Sequence, residues 1–284
     1  MMLDWQQAAG LAVVLALVGL LVRPRGRHWL TIATAVCRET SLVLALFAIW
    51  QLAGALALLK VTSAKGHALW IWHVERFLHL PNEITVQKQF LPYPSLIKFF
   101  NVYYATVHFP ALIAFLIWLW ARHRASYPHV RNTVALVTAS CLLIQLIPVA
   151  PPRMFENLGF VDTALRYGQS VYGAAGSGFA DQLSAMPSVH VAWAVLEAVF
   201  VLQVSPSRWR FLVIVHTVLT ILIVTVTANH WLLDGIVASI LLVLSIVVED
   251  WSRARILRFR ARRAGIEVAV PALEPVPALA SAGD

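Results

Sequence analysis

The sequence predicts an all-α fold, a polytopic membrane bundle of about six to seven transmembrane helices. Of its 284 residues, 60% are hydrophobic and only 13% are charged, which lies far outside the usual composition of a soluble domain. The hydrophobic residues fall into runs of roughly 20, the length at which a helix crosses the hydrocarbon layer. Because backbone groups in lipid must be hydrogen-bonded within the chain, these runs are expected to be helices.

Seven candidate spans follow one another along the chain. They cover Trp5–Val22, Ser41–Leu59, Phe100–Ala121, Thr133–Val149, Pro187–Val204, Trp209–Ala228 and Trp231–Glu249. The first is followed by no convincing small-residue cleavage site, so it is interpreted as a retained segment and not as a removed signal peptide. Whether this first segment crosses the membrane stays open, which is why the expected number is six or seven.

This order divides the chain into four parts. Residues 1–60 hold the N-terminal transmembrane helices, 61–99 an outer interfacial segment, 100–251 the catalytic membrane core, and 252–284 a basic, then disordered cytoplasmic tail. The segment 61–99 mixes tryptophans, histidines and cations, which is typical of a helix lying at the membrane surface. We interpret it first as an anchor, with a lid or lateral gate as the alternative.

Lysine and arginine are distributed unevenly between the two sets of connecting segments. One set holds 15 of the 22 basic residues, all arginines, at 23–38, 122–131, 208–210 and 253–263. Since basic loops stay in the cytoplasm, the other set faces outward. The sequence therefore predicts a multi-pass protein of a bacterial cell membrane with a cytoplasmic C-terminus. The net charge of +8 then reflects topology and lipid contact, so no nucleic-acid partner is expected.

Two histidine motifs stand where hydrophobic runs begin, on the outward side. A helix that starts at Met186-Pro187-Ser188-Val189-His190 would turn free backbone N–H groups toward an anion, which favours phosphate. In the second motif His230 and Asp234 are four residues apart, so on one helical face the carboxylate can orient the imidazole. Ionisable groups at a membrane boundary are expensive and indicate function. The pair suggests one histidine as acid and one as nucleophile.

Other polar residues near this boundary are candidate supporting groups. Tyr104 and His108 lie one turn apart in the third span, and Asn229 precedes His230. For His108, a contact that supports the site or binds the lipid head group and a hydrogen bond to a neighbouring helix are left as equal alternatives. The role of Glu197, seven residues after His190, also stays open. The loop 150–185, with its glycine-rich run at 173–178, is expected to cap the site.

The two cysteines have no expected chemical role. Cys37 is placed at a cytoplasmic boundary and Cys141 within a span, so neither position suits a disulfide or a metal site. Both are interpreted as small apolar filler.

The boundary motifs resemble those of the type 2 phosphatidic acid phosphatase superfamily of lipid phosphatases and phosphotransferases. The resemblance rests on Pro152-Arg153, Pro187-Ser188-x-His190 and His230-x-x-x-Asp234. The fuller runs are most similar to the branch that contains inositol phosphorylceramide synthase, an inositolphosphotransferase. These runs are Ala150–Arg153, Met186–His190 and Thr227–Trp231. The resemblance covers roughly 101–251 and implies a phosphatidic acid phosphatase-like core.

The resemblance implies a two-step phosphoryl transfer on a phospholipid or polyprenyl phosphate, with no metal or other cofactor. His230, oriented by Asp234, would attack phosphorus to form a phosphohistidine. His190 would protonate the leaving oxygen and then activate water or an acceptor alcohol. The residues expected to bind the phosphate are Arg153, Ser188 and Arg166.

The chain departs from the superfamily pattern where cations are expected. Leu146 stands where the first motif has lysine, and Val224 stands where the third has arginine. The remaining departures are Met154 for proline, Val189 for glycine and Ile223 for serine. Because a phosphomonoester carries close to two negative charges and a diester only one, fewer cations favour a diester or pyrophosphate-like lipid. This favours a transferase over a hydrolase.

A non-catalytic lipid or proton-coupled transporter that uses the intramembrane histidines is the alternative. Such a transporter would show paired broken helices and repeated halves, and the sequence has no internal repeat. Polyprenyl phosphates, phosphatidate and phosphatidylinositol present the same phosphorus, so the head group, the acceptor and the oligomeric state stay open.

Overall fold

The computed structural model describes residues 4–23, 26–57, 61–169 and 183–263, and these ranges contain helices and loops but no strand. The helices are α1 (Trp5–Leu21), α2 (His28–Ala57), α3 (Val61–Phe77), α4 (Glu83–Phe90), α5 (Pro94–Thr106), α6 (His108–Arg122), α7 (Tyr127–Ile144), α8 (Thr163–Arg166), α9 (Val189–Val204), α10 (Leu212–Val226) and α11 (Leu232–Arg263). The all-α prediction is confirmed. The glycine-rich run at 173–178 and the tail expected to be disordered after 265 lie outside the described residues.

Length and hydropathy qualify three helical stretches of the described residues as candidate membrane spans. They are His28–Leu52, Arg208–Val226 and Leu232–Phe259, and α5 with α6 makes a fourth if that bent pair is one span. The apolar helices α1 and α9 are shorter, with 17 and 16 residues. The fold is thus compatible with a multi-pass membrane protein that has three to four candidate spans. The larger number of six to seven stays a prediction.

The third predicted span, Phe100–Ala121, is broken near its start. α5 ends at Thr106, α6 begins at His108, and the two helices meet at an angle of 52°. The cause is Pro110, because its ring would clash with the carbonyl of Thr106 in a continuous helix and it has no N–H to donate. The break places His108 at the first position of a new helix.

α1 and α2 form a hairpin at the side of the bundle. The chain enters α1 through a capping box, in which Asp4 accepts from the backbone of Gln7 and the Gln7 side chain accepts from Asp4. Ser41 donates its hydroxyl to the carbonyl of Ala12 at 2.7 Å, which ties the two helices together. An ion pair between Glu39 and Arg131 joins this hairpin to α7.

The main core lies between α6, α7, α9 and α11. Its fully buried side chains include Leu119, Val137, Cys141, Leu196 and Leu242. A second apolar cluster lies where α3, the 149–160 loop and the start of α11 meet, around the ring of Trp231. α9 and α11 begin, and α7 and α10 end, at the same end of the bundle as this second cluster, so four helix termini converge there.

Candidate active site

The second motif forms the start of α9. Ser188 is the N-cap: its hydroxyl accepts from the N–H of Val191 at 3.4 Å, and the helix begins at Val189. Pro187 therefore precedes the cap and is not in the first turn, as the sequence had suggested. His190 is the second helical residue. Because the Ser188 hydroxyl accepts in this bond, its own hydrogen remains available for an anion.

The third motif lies in the turn between α10 and α11. α10 ends in a Schellman motif, in which Asn229 N–H donates to the carbonyl of Val224 at 3.1 Å and Ala228 N–H to that of Thr225 at 3.0 Å. Ala228 has a left-handed φ of 54°, which closes the helix and reverses the chain. His230 follows in the loop and α11 starts only at Leu232. The expectation that His230 and Asp234 share one helical face was therefore wrong.

The two motif histidines face each other. His190 Nδ1 lies 3.3 Å from His230 Nε2, and His230 Nδ1 lies 2.6 Å from the carbonyl oxygen of Ala185. A carbonyl only accepts, so Nδ1 of His230 carries the proton and Nε2 carries the lone pair. Burial lowers the pKa of His230 to about 4; the Ala185 hydrogen bond opposes this shift and the charge of Arg153 adds to it. At neutral pH the imidazole is uncharged, as a nucleophile requires.

Asp234 lies beside His230, but the closer partner of its carboxyl group is a backbone N–H. Its Oδ2 is 3.6 Å from His230 Nδ1, whereas it accepts from the backbone N–H of Trp231 at 2.8 Å. The carboxyl therefore fixes the first turn of α11 and places negative charge near the protonated side of the imidazole. The direct hydrogen-bond partner of that nitrogen is the Ala185 carbonyl.

Arg153 is buried next to the turn that carries His230, and only 4% of its surface is exposed. It lies in the short 3-10 helix Pro152–Met154, and its backbone N–H donates to the carbonyl of Ala228 at 2.9 Å. Nη1 donates to Asn229 Oδ1 at 2.7 Å, and Nε lies 3.5 Å from Asp162 Oδ2. Asp162, which sequence reasoning missed, offsets part of the arginine charge.

Arg166 is the predicted phosphate ligand that lies apart from the others. It is exposed at the end of α8, and its guanidinium carbon is 5.9 Å from the ring centroid of Tyr167. Its backbone N–H donates to the carbonyl of Asp162 at 3.0 Å, so it lies one helical turn from the ion pair of Arg153.

His190 packs against two aromatic rings of the broken span. The centroids of Tyr104 and of His108 each lie 4.7 Å from that of His190. His108 is buried, and within the described part of the chain neither of its ring nitrogens has a hydrogen-bond partner. A buried imidazole without partners is unfavourable by itself, which indicates a role toward a bound group.

A row of hydrogen-bonded polar side chains packs against His108. His216 Nδ1 is 2.5 Å from the hydroxyl of Tyr103, and His216 Nε2 is 3.4 Å from Glu197 Oε2. Glu197, whose role the sequence left open, is thus the partner of a histidine on α10. Tyr103 and His108 are in edge-to-face contact at 5.5 Å, so this row packs directly against the ring that flanks His190.

Two further acidic residues were missed by sequence reasoning. Glu75 on α3 and Glu83 on α4 have no exposed surface, and their carboxyl groups accept from the first backbone N–H groups of α11. The interfacial pattern of 61–99 predicts exposed charges, and no local signal in the sequence marks these two as buried.

Comparison with known families gives one match. A family model described as the PAP2 superfamily matches residues 69–248, which is more than half of the chain. No curated protein and no solved structure matches.

Proposed function

We propose that this chain, which belongs to the PAP2 superfamily, is an integral membrane phosphotransferase or phosphatase that works through a phosphohistidine on His230. Members of this superfamily are phosphatases and phosphotransferases, which supports an enzyme. The observation that carries the mechanism is the histidine pair: Nε2 of His230 lies 3.3 Å from Nδ1 of His190. The opposite nitrogen of His230 is committed to the Ala185 carbonyl.

In the first step, the lone pair of His230 Nε2 attacks phosphorus. A P–N bond forms, the bond from phosphorus to the leaving oxygen breaks, and protonated His190 gives its proton to that oxygen. The proton of His230 remains on Nδ1, hydrogen-bonded to the Ala185 carbonyl, and the carboxylate of Asp234 at 3.6 Å offsets the positive charge that develops on the ring.

In the second step, His190 is neutral and acts as a base. It takes the proton of a water molecule or of an acceptor alcohol, whose oxygen attacks phosphorus while the P–N bond breaks. His230 returns with its lone pair, and His190 is protonated for the next cycle. The help of one positioned acid–base group is typically worth ~10²–10⁴ in rate.

The phosphate oxygens are bound in this proposal by Arg153 and Ser188. Arg153 is fixed by Asn229 and lies on the chain segment that packs against the turn that carries His230. Ser188 and the first N–H groups of α9 approach from the His190 side. Arg166, one turn beyond Asp162, is proposed to meet the phosphate or its head group at the surface of the site.

A diester or pyrophosphate-like lipid fits this charge balance best. Arg153 shares its charge with Asp162, and apolar side chains fill the two family positions for further cations, Leu146 and Val224. A group with one negative charge therefore needs less compensation than a monoester with nearly two. We propose a phospholipid or polyprenyl donor, a lipid alcohol or water as acceptor, and membership of the inositolphosphotransferase-like branch.

The site is proposed to open at the outer face of a bacterial cell membrane, with the C-terminus in the cytoplasm. The histidine pair lies at one end of α9 and α11, and the arginine-rich segments at 208–210 and 253–263 lie at the other ends of these helices. Because basic segments remain cytoplasmic, this separation supports an outward site.

The test is to trap the intermediate. Purified protein is mixed briefly with a phospholipid labelled with ³²P, quenched in denaturant and examined for label on the protein. We expect label that is stable in alkali and lost in mild acid, as a phosphohistidine is, and no label on His230→Gln. Label that survives acid, or that persists on His230→Gln, would contradict the mechanism.

A further inference from the structure

The first turn of α11 is held by side chains from outside its own helix. The first N–H groups of a helix have no partner within it. Here Leu232 N–H donates to Glu83 Oε1 at 3.2 Å and Leu233 N–H to Glu75 Oε1 at 2.7 Å. Asp234 Oδ2 accepts from Trp231 N–H at 2.8 Å. Three carboxyl groups therefore bind three successive amides directly after His230.

Acidic side chains outnumber basic ones around this turn. Glu75, Glu83 and Asp234 are all fully buried, and one cation, Arg76, lies among them. Its Nη2 is 3.1 Å from Glu83 Oε2 and 3.9 Å from Glu75 Oε2. One guanidinium can offset one carboxylate well, and Glu83 is the closer partner of Arg76.

Glu75 is the member of the pair that holds a proton. Burial raises the pKa of Glu75 to about 9, and the negative charges of Glu83 and Asp234 act in the same direction. The N–H of Leu233 opposes this shift. Within the described residues no group donates to Oε2 of Glu75, so a proton on that oxygen displaces no other hydrogen bond.

We infer that Glu75 and Glu83 are positioning residues, a neutral carboxyl and its acidic neighbour that fix the start of α11 and thereby hold His230 against His190. His230 is anchored on its other side by Ala185, so its ring is positioned only while both supports are in place. The pair also joins α3 and α4, which are not among the candidate spans, to the reacting centre. The activity readout of this inference rests on the proposed function.

A pH dependence follows from the groups that face Glu75, which are Arg76 on its own helix, Glu83 on α4 and Asp234 on α11. As the pH rises through about 9, Glu75 ionises, and two neighbouring carboxylates then repel each other beside a single cation. We expect kcat to fall on this alkaline side as the α11 turn loosens. A misplacement of about 1 Å can lower a rate by roughly 10²-fold.

The decisive variant is Glu75→Gln. An amide is neutral at every pH, its oxygen can accept from Leu233 and its NH₂ group can donate to Glu83. We expect kcat within about threefold of wild type at neutral pH and no separate step of loss near pH 9 beyond the loss that deprotonation of His190 causes in both proteins, because the titrating carboxyl is gone. Glu75→Ala and Glu83→Gln should each lower kcat by roughly 10–100-fold with little change in KM, since the turn is misplaced but the phosphate ligands remain. Glu156→Gln, at an exposed glutamate, is the matched control and should behave as wild type.

Hydrogen exchange of the peptide 227–236 in detergent gives a readout that needs no turnover. We expect faster exchange in Glu75→Ala than in wild type and unchanged exchange in Glu75→Gln. Loss of activity in Glu75→Gln equal to that in Glu75→Ala, or a separate step of loss near pH 9 that is the same in Glu75→Gln as in wild type, would overturn the neutral-carboxyl assignment. Wild-type exchange and wild-type kcat in Glu75→Ala would overturn the positioning role. If no lipid phosphate is turned over by the wild type, the proposed function fails and the exchange comparison alone decides this inference.

Discussion

Replacement of Arg153 by lysine tests the phosphate site most directly. The lysine keeps one positive charge near Asp162 but cannot present a planar pair of donors. The variant loses the 2.7 Å hydrogen bond from Nη1 to Asn229, which fixes the guanidinium beside the turn that carries His230. A hydrogen bond to a charged group contributes about 1.5–3 kcal/mol, and one transition-state donor contributes about 2.7–4 kcal/mol. Because the ammonium retains part of both, we expect a loss of about 2–3 kcal/mol, or roughly 30- to 150-fold in kcat/KM.

The assay measures kcat/KM for Arg153→Lys on a diester phospholipid in mixed micelles, beside wild type. Arg124→Lys is the matched control, since Arg124 is an exposed arginine between α6 and α7 that has no place in the proposed site. It should stay within about threefold of wild type, as expected when a surface charge is conserved. Near-normal activity of Arg153→Lys, or an equal loss in both variants, would refute the assignment of Arg153 as the principal phosphate ligand.

Three other predictions concern charge and burial in the same site. The acid limb of kcat/KM should lie near pH 4, because the depressed pKa keeps His230 neutral above that value and protonation below it removes the nucleophile; a limb at 6.5 would contradict this. Asp162→Asn should raise the ratio of monoester to diester turnover, since it releases the charge that Arg153 now shares, and an unchanged ratio would show that Asp162 does not set the preference. His108→Phe should lower turnover but leave thermal stability unchanged or higher, because the imidazole has no hydrogen-bond partner among the described residues. Lower stability with full turnover would instead assign His108 a packing role.

The helical class and the family could be predicted because they depend on composition and on short motifs. Apolar runs report a membrane protein whatever their packing, and the motifs of Arg153, His190 and His230 carry the resemblance that the match over 69–248 supports at the level of the superfamily. The roles of the site residues remain proposals. The structure nevertheless places five of these residues in one connected group: Arg153, Ser188, His190, Asn229 and His230.

The details that sequence reasoning missed depend on where helices end and on what covers them. The motif spacing placed His230 on a helix, but the left-handed Ala228 and the start of α11 at Leu232 leave it in a turn. The bend before His108 follows from Pro110, which hydropathy alone does not register. Burial of Glu75 and Glu83 arises only when α3 and α4 pack over the start of α11, so no local pattern could reveal it.

The packing of three rings around His190 has a consequence for the order of events. Tyr104 and His108 each lie 4.7 Å from its ring and His230 lies 5.5 Å from it, so in the proposed mechanism the imidazole meets the departing and the incoming oxygen at one place. The first product then has to leave before the acceptor can enter, which gives ping-pong kinetics. Each displacement inverts the configuration at phosphorus. A donor made chiral at phosphorus should therefore yield product with net retention, whichever acceptor is used.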